Sequence, residues 1–88
     1  MHHWKPMLQI FLMKRIRTYR KSLHITQEMM AELLRISPRS YISLEHGDNG
    51  CSATTLMFFL LILTEEDLIR LREDFRTLVE QEDSHVVA

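Results

Sequence analysis

Cysteine occurs once in the 88 residues, as Cys51, so the chain can form no disulfide with itself. That usage fits a reducing cytoplasm. Cys51 stands without an evident histidine or acidic partner and reads as a small packed residue rather than a nucleophile. Glycine and proline occur twice each, too rarely for a fibrous or low-complexity chain. No glycine-rich phosphate loop and no nucleophile–base arrangement is present, so no catalytic residues are assigned and an enzyme is not expected. The apolar run LMFFLLIL (Leu56 to Leu63) is far short of the roughly 20 residues that a membrane span needs. The opening MHHWKP lacks the basic region, apolar stretch and cleavage site of a signal peptide. Five histidines invite a metal reading, but His2, His3, His24, His46 and His85 show neither i, i+4 spacing nor a Cys/His pattern. No metal and no cofactor are expected.

What is abundant points to helices. The chain is 45% hydrophobic and rich in Leu, Met, Glu and Arg, residues that lose little side-chain freedom in a helix. Its length suits one domain, residues 1–88, with a core of modest stability. The net charge of −1 conceals a split. Residues 1–50 carry eight Lys/Arg and four acids, whereas residues 51–88 carry three Arg and eight acids. A basic first half suits a polyanion, and an acidic second half would turn away from it.

The local signals predict five helices. The first starts at Pro6, a residue suited to the first helical position, and runs to about Ser22 with Leu8, Leu12, Ile16 and Tyr19 on one stripe. His24, just past its end, is expected in the left-handed conformation that glycine prefers. The second helix has Thr26 as N-cap and ends near Arg35, with Met29, Met30, Leu33 and Leu34 at helical spacing. Ser37 followed by Pro38 opens the third, Tyr41 and Leu44 point inward, and Gly47 closes it. Ser52 caps the fourth, which runs to Leu63 and is apolar nearly all round, a sign of burial on more than one side. Leu56, Phe59, Leu60 and Leu63 make one face, and Met57, Phe58, Leu61 and Ile62 make another. Thr64 and Asp67 form a capping box for a fifth helix over about 65–80. Its residues Leu68, Leu71, Phe75 and Leu78 form a short seam of coiled-coil-like spacing. The tail QEDSHVVA is expected to fray.

The segment ITQEMMAELL followed by ISPRSYISLEHG resembles the lambda-repressor-like helix-turn-helix domains of phage repressors and Cro-type (XRE) regulators. The matching positions are Gln27 at the opening of the second helix, Ala31 at the crossing of two helices, Tyr41 and Leu44, and Glu45 and Gly47 at the end of the third. The resemblance covers about residues 8–63 and leaves the fifth helix as a C-terminal addition. It implies an all-α, five-helix fold and double-stranded DNA as partner. It also implies an ion pair between Arg20 and Glu45. The chain departs from the family at Arg35 and His24, where glycine is usual. It departs again at Pro38, where many phage repressors carry a base-reading polar residue.

On that resemblance the third helix reads bases in the major groove. Arg39 can give guanine a bidentate contact, or it can touch phosphate as a solvated arginine. Ser40 and Ser43 can reach bases or phosphates. Ile42 either meets a thymine methyl or packs on the second helix. Gln27, at the start of that helix, is expected to hold a phosphate. Ser37 serves as a cap near the DNA and Pro38 weakens one readout position. Arg17, Lys21 and Asn49 are phosphate candidates, with a solvated-surface reading beside each.

The function expected is a sequence-specific DNA-binding transcriptional regulator, bacterial or phage in type, acting as a repressor and as a homodimer. A repressor of its own operon paired with a toxin is a variant of it. The dimer surface is assigned to Met57, Phe58, Leu61 and Ile62 with the seam Leu68, Leu71, Phe75 and Leu78, because so much apolar surface is a liability on a monomer. The alternative is a protein-interaction module that kept the fold with little or no DNA binding, its partner another protein.

Overall fold

The computed structural model describes residues 3–87. Five α-helices account for nearly all of them: α1 (Trp4–Ser22), α2 (Gln27–Leu34), α3 (Pro38–His46), α4 (Ala53–Ile62) and α5 (Glu65–Val87). There is no strand among the described residues.

Side-chain caps set most of the boundaries. Thr26 Oγ1 accepts from the Met29 N–H, Ser37 Oγ from Ser40 and Ser52 Oγ from Thr55, each satisfying an amide the helix cannot use itself. The Thr64–Asp67 box closes in both directions: the Asp67 amide donates to Thr64 Oγ1 at 3.1 Å and the Thr64 amide to Asp67 Oδ2 at 3.4 Å. The stops are left-handed residues. Gly47 ends α3 at φ 82°. Arg35 ends α2 at φ 62° and His24 follows α1 at φ 57°, both with a Cβ that disfavours this region. Two boundaries differ from the sequence reading. α1 begins at Trp4, two residues before Pro6, and α5 continues through the acidic tail to Val87. With 23 residues α5 is about 34 Å long.

The core joins all five helices: Ile16 from α1, Met30 and Leu34 from α2, Tyr41 and Leu44 from α3, Phe59 from α4 and Leu71 from α5. Ala31 is buried among them, the small residue that lets α2 and α3 approach closely. The stripes expected on α1 and α2 are only half internal. Leu12 and Ile16 are buried while Leu8 lies at the surface; Met30 and Leu34 are buried while Met29 and Leu33 are exposed. An eight-residue helix held mainly against two neighbours has room for only one inward face.

α5 runs antiparallel along α1. Tyr19 Oη donates to the Ile62 carbonyl at 3.2 Å. Arg15 pairs with Asp74, and the rings of Phe11 and Phe75 lie 5.4 Å apart. Residue number thus falls along α1 as it rises along α5. The seam expected to face a second copy packs inside the chain. Leu71 is buried, Leu68 is packed on the core, Phe75 sits on Phe11, and Leu78 lies beside Met7 and Ile10. Phe58 and Ile62 of α4 are also packed on the core. Of the assigned dimer surface, Met57 and Leu61 alone remain freely exposed, at 64% and 72%.

Candidate nucleic-acid interface

Glu45 is the hub around which α1, α2 and α3 meet, although it is a carboxylate only 6% exposed. Arg20 of α1 donates to it through Nε at 2.6 Å and Nη2 at 3.2 Å, a two-point contact. Gln27 of α2 donates through Nε2 at 3.0 Å. The Tyr41 hydroxyl, one turn back on α3, donates as well. The third arm of the Arg20 guanidinium reaches the Ile25 carbonyl at 3.0 Å, tying down the α1–α2 connection. No buried polar side-chain atom is left unsatisfied among the described residues. That completeness is what makes a buried charge tolerable.

The network shifts its members' acidities. Burial alone would raise the Glu45 carboxyl, but the hydrogen bonds from Arg20, Tyr41 and Gln27, with the Arg20 charge, hold it below its ordinary value. Burial and the Glu45 hydrogen bond push the Tyr41 hydroxyl up. The hydrogen bond to Glu45 raises Arg20. Glu45 is therefore an anion with three fixed donors, and the crossing of α2 and α3 is locked by chemistry as well as by packing.

The outer side of α3 is left open by this arrangement. Arg39 and Ser40 are exposed in its first turn, Ile42 is 40% exposed, and Ser43 is half-buried. Ser37 does two things: its Oγ caps Ser40 and donates to the Ser40 hydroxyl at 2.9 Å, so these two serines hold each other. Pro38 occupies the first turn of α3, where it needs no amide partner. Arg17 and Lys21 are exposed one turn apart on α1, and Asn49 is exposed in the loop after α3. Gln27 differs from the expectation. Its amide nitrogen is committed to Glu45, so its first task is to brace α3.

Several contacts escaped the sequence reading. The Arg35 guanidinium stacks over the Phe58 ring, 4.6 Å from its centroid, joining the helix-turn-helix turn to α4 by a cation–π contact. Arg15 lies 5.3 Å over Phe11 besides pairing with Asp74. Basic α1 and acidic α5 are thus joined by an ion pair on their shared side, while Arg17, Lys21 and Arg39 are exposed and make no ion pair among the described residues. The opposite charges of the two halves were the available signal for the Arg15–Asp74 pair. Nothing local pointed to Arg35 and Phe58, which are 23 positions apart. Among the described residues no three His, Cys, Asp or Glu side chains cluster as metal ligands; His2 and the His85 side chain lie outside the described set. No helix among the described residues is long and apolar enough to cross a membrane.

A family model for the Cro-type, XRE-like helix-turn-helix matches residues 16–59, half of the chain. This chain belongs to the helix-turn-helix family. The matched segment begins at the buried Ile16 and ends at the buried Phe59, so it takes in the Glu45 network, all of α2 and α3 and the turn between them. The fold is the lambda-repressor-like one, a DNA-binding regulatory domain. No curated protein and no solved structure matches.

Proposed function

We propose that the protein is a sequence-specific DNA-binding transcriptional repressor of the cytoplasm that acts as a homodimer. The observation that carries the reading is the exposed outer side of α3, with Arg39, Ser40, Ile42 and Ser43, on a helix whose inner side is fixed by Glu45. A helix braced in this way can enter the major groove without first being ordered. Arg39 is the base reader, contacting guanine O6 and N7. Ser40 and Ser43 add hydrogen bonds, and Ile42 offers a thymine methyl an apolar contact. Arg17, Lys21 and Asn49 hold phosphates on either side. Gln27 acts through Glu45, and its remaining carbonyl and amide hydrogen can still meet the backbone.

A second reading rests on one observation, the apolar character of the helix-turn-helix surface. Met29 and Leu33 on α2 are 51% and 43% exposed, beside Ile42 on α3. A surface of that kind suits a partner protein, with DNA binding reduced or lost. Selection from a pool of random duplex DNA at about 0.15 M salt separates the two readings, because nonspecific phosphate attraction is weakened there. An enriched palindrome that the Arg39→Ala variant no longer retains supports the repressor. No enrichment from folded protein leaves the interaction module.

A further inference from the structure

We infer that a second copy of this chain docks on the face formed by α4 and the outer stripe of α5, with the two α5 helices antiparallel about a two-fold axis beside Ile69. The inference rests on the homodimer reading and specifies where the copies meet. It moves the contact outward from the coiled-coil seam, whose Leu71 is buried within the chain while Leu68 and Phe75 also wall an open groove.

Exposed apolar side chains occur also on α1, α2 and α3, but the most exposed belong to α4 and α5. α4 carries no charged residue from Ala53 to Ile62. Its crest, Met57 and Leu61, holds the most exposed large apolar side chains among the described residues, followed by Ile69 of α5 at 63%. Beside that crest runs an apolar groove of about 360 Å³, walled by Leu56 and Leu60 of α4, Leu68 and Phe75 of α5 and Leu8 of α1, with Arg72 at its rim. Knob and hole therefore sit side by side on α4, as a self-complementary contact requires. A standard interface takes about 800 Å² from each partner, roughly an eighth of this chain's 6524 Å². The two side chains of the crest fall short of that, so the contact must also take in the groove and the α5 stripe.

Charge sets the orientation. Glu65, Ile69 and Arg72 follow at spacings of four and three, so they form one stripe of α5. All three are exposed. Glu65 makes no ion pair within the described residues, and Arg72 reaches only Glu73, at 3.9 Å. The acid lies before the apolar residue and the base after it. Antiparallel helices related by a two-fold axis near Ile69 place Glu65 opposite the partner's Arg72, twice. Parallel helices would set Glu65 against the partner's Glu65 and Arg72 against the partner's Arg72, a like-charge contact.

The test is sedimentation equilibrium of the full chain, with circular dichroism to confirm helix content. Wild type should sediment as a dimer and Leu61→Glu/Ile69→Glu as a folded monomer. Glu65→Arg and Arg72→Glu should each weaken the dimer about tenfold, one unfavourable contact appearing at two symmetric places. The double exchange Glu65→Arg/Arg72→Glu should recover most of the loss. A wild-type monomer would remove the homodimer reading itself. A wild-type dimer that is indifferent to Leu61→Glu/Ile69→Glu would leave that reading standing and overturn the placement. Weakening by the single exchanges without recovery in the double would overturn the antiparallel axis.

Discussion

The two ends of this small protein hold themselves together by opposite means. Around Glu45, three helices are joined by directional hydrogen bonds to one buried anion. Along α4 and α5, apolar residues meet with little directional bonding, and part of that surface remains uncovered. The first arrangement permits one geometry and fails as a unit. The second tolerates substitution and leaves capacity for a further contact. On the proposed function, groove reading would use the first and association the second.

The largest expected effect lies in the hub. Glu45→Ala leaves Arg20, Tyr41 and Gln27 without their acceptor and should cost about 3–5 kcal/mol in chemical denaturation, the range for breaking a buried pair from one side. If the loss is below about 1 kcal/mol, the contrast between the two regions disappears. Arg39→Ala should leave the melting curve unchanged and weaken specific DNA binding by about 1–3 kcal/mol, read by titration with the selected operator. Acidification should act on the hub in turn. The Glu45 carboxyl is held below its ordinary value, so its stabilisation is fully present above the unfolded value of about 4.3 and is lost as pH falls through the lower, folded one. Wild type should thus lose stability more steeply below about pH 4 than Glu45→Gln, compared by urea denaturation at successive pH values.

Smaller changes sharpen the comparison at the two left-handed residues. His24→Gly should stabilise the fold by about 0.5–1 kcal/mol, since it removes the Cβ penalty from a φ of 57° and His24 is exposed. Arg35→Gly relieves the same strain but gives up the stack on Phe58, worth about 0.5–1 kcal/mol at such a site, and should come out close to neutral. Equal gains at both sites in thermal melts would mean that the Arg35 stack contributes nothing.

Much of the fold was legible because its signals are local. Thr26, Ser37 with Pro38, Ser52 and the Thr64–Asp67 box each marked a helix start, and the strain at His24 and Arg35 was visible as two missing glycines. The Arg20–Glu45 pair came through the family resemblance. What stayed hidden depends on tertiary placement. A seam of 3, 4 and 3 spacing on α5 looks the same whether its partner is α1 of the same chain or α5 of another. Gln27 faced a choice between phosphate and Glu45 that no local pattern decides. Ile42 was left open between two surroundings, and its exposure is set by tertiary placement. The acidic tail gave few packing cues, yet α5 continues through it to Val87.

The sharing of Glu45 among three helices also has a consequence in time. α3 cannot swing out alone, because it would have to release donors on α1 and α2 together with its own Tyr41. Its amide hydrogens should therefore exchange with solvent only when the whole domain opens, whereas the far end of α5, with fewer anchors, exchanges by local fraying. A nine-residue helix with an open outer side would then keep the slow clock of the core.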